Sequence, residues 1–235
     1  MHARDRLPEP PEREARAARI LDVAAELLLR HGYRRVTIDD VARGADIGKG
    51  TVYLHWRTRE ELFTAVFERE VREAVGELLR ALQQDRHGFL LHRVARTYFL
   101  AIMNRPLLRG FVLADDELLG KLARSGGARE DRHQLMSRSY FQLLAEHGLL
   151  HADLNPEDAA YAFLATLEGF LQASAGEPEQ AGPQTRADLL AITVQRAFET
   201  GRQLPPATQD LLAQRVVDLL RGLLDADQAD PDGTA

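Results

Sequence analysis

The residues whose types and spacing suggest a definite chemistry lie in the run Gly48-Lys49-Gly50-Thr51-Val52-Tyr53-Leu54-His55-Trp56. An ammonium, a hydroxyl with a methyl, a phenol and an imidazole fall within seven residues. Two glycines beside Lys49 leave the first turn of a helix nearly bare of bulk. Such a helix can push its N-terminus into the major groove of duplex DNA, where base edges present acceptors and thymine methyls. Other chemistries find less support. His147 and His151 are spaced i, i+4, which on an unbroken helix would put two imidazoles on one face for a metal, but Gly148 is expected to cap the helix between them. There is no HExxH, and no GxSxG, phosphate-cradling P-loop or GxGxxG. Asp115-Asp116-Glu117 reads as a solvated helix face. No cofactor and no metal are expected.

The elements that must position the 48–56 run are helices. Helical periodicity dominates and β-type alternation is scarce. Residues 1–11 are expected to be a disordered arm. A helix over 12–31 carries Ala17, Ile20, Leu21, Ala24, Leu27 and Leu28 inward, and Gly32 caps it. Thr37 with Asp40 forms a capping-box variant for a second helix, which Gly44 ends. Ile47 plugs the turn before a third helix over 48–55. Thr58 and Glu61 form a second capping box for a long helix reaching about residue 84. Further helices are expected near 89–104, 106–123, 129–147, 156–175, 186–200 and 207–224. Asn155-Pro156 with Asp158 marks a clear start. Residues 225–235 are expected to be a disordered tail.

Bulk composition agrees with a globular all-α chain. Its 235 residues are 45% hydrophobic and 28% charged, with net charge −6 and no cysteine. Disulfides and thiolate metal sites are therefore excluded. No apolar run approaches the roughly 18 residues of a membrane span. The opening MHARDRLPEPPERE lacks the apolar segment of a signal peptide, so a cytoplasmic location is expected. The charge is uneven: residues 1–60 carry +2 and the remainder −8. A polyanion would be met by the first part. Only Lys49 and Lys121 among 30 basic residues are lysines.

The stretch ILDVAAELLLRHGYRRVTIDDVARGADIGKGTVYLHWRTREELFTAVF closely resembles the DNA-binding head of TetR-family transcriptional regulators. Agreement runs through Gly32-Tyr33, Thr37-Ile38, Val41-Ala42, Lys49-Gly50-Thr51, Tyr53, Trp56 and the cap at 58–62. Three positions depart from the family pattern. Gly48 stands where Ser is frequent, Leu54 where many members carry a polar or aromatic residue, and Trp56 in place of the usual Phe.

The resemblance implies an N-terminal three-helix helix-turn-helix domain over 12–57 and a helical ligand-binding and dimerisation domain over 58–224. It implies a homodimer that sets each third helix in a major groove, with half-sites one turn, about 34–36 Å, or a multiple apart. Lys49, Gly50 and Thr51 would then sit nearest base edges. Tyr53, His55, Thr37 and Arg59 would contact phosphates. Thr37 also reads as a helix cap alone, His55 as a solvated side chain, and Trp56 as a packing residue.

For the body, the family implies a pocket for a small-molecule effector. Tyr98, Ile102, Phe111, Tyr140, Phe141, Phe163, Leu167 and Phe170 are apolar or aromatic candidates, and Arg96, Asn104, Gln134 and Glu168 are polar ones. Each apolar candidate also reads as core. The helices at 156–175 and 207–224 are expected to form a four-helix dimer interface, through Ala162, Ala165 and Gly169 on one and Leu212, Val216, Leu219 and Leu223 on the other. The expected function is a repressor that binds a palindromic double-stranded DNA operator and is released by the effector. A nonregulatory helical ligand-binding domain and a metal-dependent enzyme domain are the alternatives.

Overall fold

The computed structural model describes the backbone of residues 10–113, 115, 118, 127–176 and 182–229, and the side chains of 12–113, 115, 118, 135–174 and 182–224. Among these, ten helices follow one another: α1 (Pro10–His31), α2 (Ile38–Gly44), α3 (Lys49–Tyr53), α4 (Arg59–Gln84), α5 (Leu91–Met103), α6 (Pro106–Val112), α7 (Gly127–Glu146), α8 (Pro156–Gly176), α9 (Pro183–Phe198) and α10 (Pro206–Ala229). The one β-type pairing among the described residues is an isolated bridge between Leu150 and Glu199.

The chain divides into two compact units, residues 1–69 with 114–124, and residues 70–113 with 125–235. The division falls inside α4, between Arg69 and Glu70.

In the first unit, Ile20, Ala24 and Leu28 recur one helical turn apart on α1 and are fully buried. Gly32 ends α1 with φ 69° and returns its N–H to the Leu28 carbonyl at 2.8 Å. The Thr37–Asp40 capping box forms in both directions at the start of α2. Val41 and Ala42 are buried beneath it. A Cβ added at Gly44 would lie 2.7 Å from Val23 Cγ1, so α1 and α2 approach there more closely than a side chain permits. The turn to α3 places Asp46 at φ 54°, a left-handed conformation that Asp tolerates better than bulky residues. The Ile47 N–H donates to the Ala42 carbonyl at 3.0 Å.

In the second unit, α5 and α9 lie side by side, with Ala95, Phe99 and Ile102 against a core that includes Ala187, Leu190 and Val194. Arg105 joins the end of α5 to α4 through Glu77 at 2.8 Å. His92 holds Glu199 twice, by its backbone N–H at 3.0 Å and its Nδ1 at 2.6 Å, which fixes the start of α5 to the end of α9. The aromatic series Tyr140, Phe141, Phe163 and Phe198 links α7, α8 and α9, with ring centroids 5.7, 5.7 and 6.5 Å apart. Asn155 Oδ1 accepts from the Asp158 N–H at 2.8 Å and caps α8.

Several boundaries differ from the sequence expectation. α1 begins at Pro10, within the expected arm, because proline is compatible with a first helical turn whose N–H groups are unpaired. The third helix is only Lys49–Tyr53, with Gly48 and Leu54 as its caps. Of the helix expected over 106–123, α6 accounts for Pro106–Val112, and residues 114, 116, 117 and 119–123 lie outside the described residues. α10 runs on to Ala229, past the expected end at 224. Residues 1–9 and 230–235 of the expected arm and tail lie outside the described residues.

Candidate functional site

The surface at α3 is built around one anchor. Val52 is fully buried and pins the short helix to the first unit. The rest of its first turn faces outward: Gly48, Lys49 and Gly50 are exposed, and a Cβ at either glycine would meet nothing within 4 Å. Tyr53 is 43% and Leu54 72% exposed, large values for such side chains. Thr51 and His55 are half-buried. A surface of this kind combines a close backbone approach with donors and methyls of the sort that read a major groove.

Charge is arranged less simply than the sequence suggests. Lys49 Nζ donates to Asp39 Oδ2 at 2.9 Å, and this hydrogen bond with its coulombic attraction raises the lysine pKa. The same ammonium lies 6.0 Å from the Tyr53 ring centroid. Burial lowers the His55 pKa, and the nearby Arg13 and Arg16 charges lower it further. Its ring rests against Trp56 at 5.3 Å. His55 therefore offers a neutral imidazole at neutral pH rather than a charge.

Two expected phosphate contacts are engaged elsewhere. Thr37 Oγ1 donates to Asp40 Oδ2 at 2.6 Å and accepts from the Asp40 N–H at 3.2 Å, so its hydroxyl is held as a cap. Donation from the Thr37 hydroxyl, and from the Thr37 N–H to the same carboxylate oxygen at 3.0 Å, lowers the Asp40 pKa. Arg59 is not a free clamp. Its Nη1 donates to the carbonyls of Tyr33 and Val36 at 3.2 and 3.1 Å, and its guanidinium lies 4.1 Å from the Tyr33 ring centroid. The start of a helix suggested an anion site, but a long arginine beside a tight loop found carbonyls within reach. Asp39 and Leu54 are the residues that sequence reasoning did not assign. Leu54 stood out as a family departure, whereas nothing in the spacing of Asp39 and Lys49 signals a pair ten positions apart.

The second unit contains a cavity of about 540 Å³, inside the range of roughly 300–1,000 Å³ found for small-molecule sites. Val71, Val75, Leu78 and Leu82 of α4 form one wall, and Leu219, Leu220 and Leu223 of α10 another. Tyr98, Tyr140, Phe141 and Phe163 line it, as do Thr97, Met136, Ser137, Arg138, Glu157, Tyr161 and Leu164. The Tyr140 hydroxyl donates to the Phe89 carbonyl at 2.8 Å, and burial pushes its pKa well up.

The remaining candidates lie elsewhere. Ile102 and Leu167 belong to the solid core, and Phe170 packs on its edge. Arg96 pairs with Asp188 at 2.6 Å. Asn104 is the exposed C-cap of α5, Glu168 is exposed, and Phe111 is half-buried away from the cavity. The side chain of Gln134 lies outside the described residues. A helical stripe identifies an inward face but not which inward residues meet a void. Arg138, in the middle of α7, and Glu157, in the first turn of α8, were missed for the complementary reason: charged residues on helices read as solvated.

The apolar residues expected at a dimer face on the last helix are engaged within their own unit. Leu212, Val216 and Leu223 are buried in their own unit, and Leu219 packs on that core and lines the cavity. The large apolar side chains left exposed on the last three helices are Tyr161 and Leu164 on α8, Leu189 and Ile192 on α9, and Leu211 alone on the described part of α10. Ala162 is half-buried, while Ala165 and Gly169 are exposed. The i, i+4 imidazole pair does not share a helix face. α7 stops at Glu146, Gly148 takes φ 65°, and His147 Nδ1 donates to the Leu143 carbonyl at 2.9 Å.

Comparison with known proteins places residues 20–66 in the family described as bacterial regulatory proteins, tetR family. An HTH-type transcriptional regulator of Mycobacterium tuberculosis is 39% identical over 69 residues, which are 29% of this chain and 34% of that protein. The match thus spans about a third of that relative's length. NalD, the secondary repressor of the MexAB-OprM multidrug efflux pump in Pseudomonas aeruginosa, aligns in structure over 82% of this chain and 100% of its own, with TM-score 0.62 and 21% identity. SmeT, the repressor of the Stenotrophomonas maltophilia efflux pump SmeDEF, aligns over 82% and 95%, with TM-score 0.60 and 22% identity. A second SmeT structure is a complex with triclosan, with TM-score 0.57, 20% identity and coverage of 81% and 99%. These likenesses establish the fold.

Proposed function

We propose that this chain, whose residues 20–66 match the tetR family of bacterial regulatory proteins, is a repressor that binds a palindromic operator as a homodimer and is released by a small molecule. The match of residues 20–66 supports the regulator class. The observation that carries the finer reading is the surface of α3, where a buried Val52 presents exposed Lys49, Gly50 and Tyr53, and a Cβ at Gly50 would meet nothing within 4 Å. Lys49, Gly50, Thr51 and Leu54 contact bases in this reading, and Tyr53 and His55 contact phosphates. The fold-mates NalD and SmeT are repressors, and SmeT forms a complex with triclosan, which supports repression and an effector cavity here.

Dimerisation uses the outward faces of α8 and α9, where Tyr161, Leu164, Leu189 and Ile192 stand exposed. Two helices from each copy then form a four-helix interface about a two-fold axis. The effector acts through α4, whose Val71–Leu82 stripe lines the cavity and whose first turn carries Arg59, bonded to the loop before α2. It must favour one spacing of the two heads over the other, and a tenfold preference corresponds to about 1.4 kcal/mol.

A gel-shift with DNA flanking the gene of this chain tests the reading. Specific, salt-sensitive binding to a near-palindrome, weakened by Lys49→Ala and Tyr53→Ala, is expected. Binding indifferent to both substitutions removes it.

A further inference from the structure

We propose that the cavity takes an uncharged, elongated apolar molecule ending in a single hydrogen-bonding group that meets the Tyr98 hydroxyl. The inference deepens the reading of the second unit as an effector-binding body and rests on it. Elongation follows from α4: the lining residues Val71, Val75, Leu78 and Leu82 form one stripe spanning eleven positions, about 16 Å of helix at 1.5 Å per residue. That length suits a chain better than a compact ring.

Neutrality follows from where the charges are. Among the lining residues, Arg138 and Glu157 bring one charge of each sign, and both are exposed. They keep their hydration and offer no net charge to a guest. A charged head placed against the leucines and valines would be desolvated without a counter-ion, which is strongly unfavourable.

The hydrogen-bonding end follows from the two tyrosines. Tyr140 already donates to the Phe89 carbonyl. Tyr98 also lines the cavity and makes no hydrogen bond among the described residues. Burial raises its pKa, so it remains a neutral phenol able to donate or accept at neutral pH. Tyr98 is half-buried, so its unpartnered hydroxyl keeps some contact with solvent and can exchange a water for the polar end of a guest.

Isothermal titration calorimetry of the full chain with 1-dodecanol, dodecanoate and dodecyltrimethylammonium, the alcohol below its solubility limit and the ions below their micelle-forming concentrations, tests this with one chain length and three head charges. The alcohol is expected to bind at least tenfold more tightly than either ion. Tyr98→Phe should weaken the alcohol roughly threefold to tenfold, as for one lost hydrogen bond. Ala160→Phe, which fills the cavity from α8, should abolish binding. Equal or tighter binding of either ion, no binding of the alcohol, or an unchanged affinity in Tyr98→Phe overturns the proposal. Alcohol binding by a chain that ignores operator DNA would leave the proposal standing and remove the regulatory reading. DNA binding with no alcohol binding does the reverse.

Discussion

At the scale of single residues, the charge on α3 is set by its neighbours. Lys49 is paired with Asp39 at 2.9 Å, so DNA must compete with a carboxylate for the ammonium. Asp39→Asn removes that competitor and a like charge for phosphates, and should strengthen binding to random duplex roughly fivefold at low salt. Filter binding with nonspecific DNA measures it, and an unchanged affinity would show the pair to be irrelevant. Lys49→Ala should reduce the slope of log affinity against log salt by roughly one per protomer. His55→Gln should leave that slope unchanged at pH 7.5, because burial and Arg13 and Arg16 hold the imidazole neutral. The same lowered pKa has a stability consequence with a definite sign. The unfolded chain takes up a proton at His55 near pH 6.5 while the folded chain resists it, so stability falls as pH drops below about 6.5. Melting curves of His55→Gln should lose less between pH 7.5 and 5.5 than those of the parent. Residue identity revealed which groups could touch DNA, but not Arg59, whose guanidinium reach let it bond carbonyls 23 and 26 positions back in the chain.

At the scale of elements, local signals were legible wherever the reason was local. Gly32, the Thr37–Asp40 box and Asn155 with Asp158 each act within one turn of their own helix, and each is present as the sequence implies. Thr37→Ala should cost about 1 kcal/mol of unfolding free energy by removing the cap. Gly44 is different, because its requirement comes from a neighbouring helix. It ends α2, where alanine would ordinarily favour the helix, yet a Cβ there lies 2.7 Å from Val23 Cγ1. Valine is stiff about χ1 and cannot easily turn aside. Gly44→Ala should therefore destabilise by roughly 1–2 kcal/mol, the range for overpacking. Val23→Ala in the same chain should recover most of that loss. A double-mutant cycle by urea denaturation reads the coupling, and additive effects would show that α1 moves aside freely. The third helix was the least legible element. Its five residues are too few for periodicity, and its ends follow from Gly48 and Leu54 serving as caps.

At the scale of the whole molecule, amphipathic patterns reveal that a helix has an apolar face, not what covers it. Both α8 and α10 carry such faces, and the small residues Ala165 and Gly169 made α8 with the last helix the natural pair for an interface. Folding uses the α10 face internally, through Leu212, Val216 and Leu220. Besides Leu211 of α10, Tyr161 at 77%, Leu189 at 51%, Ile192 at 45% and Leu164 at 45% stand exposed, on two helices that pack against each other. Large apolar side chains gathered on one surface mark an association site. A two-fold interface contains each substitution twice, so a single buried charge acts from both copies. Leu189→Asp and Ile192→Asp, which lie outside the cavity lining, should each convert a dimer to monomers in sedimentation velocity. Helicity should be retained, because neither side chain belongs to the core. Such a monomer should bind a palindrome much more weakly than the parent while retaining its affinity for a single half-site, since only the linkage between two heads is lost. If both variants stay dimeric, the interface lies on another face, and the exposed apolar surface of α8 and α9 needs a different partner.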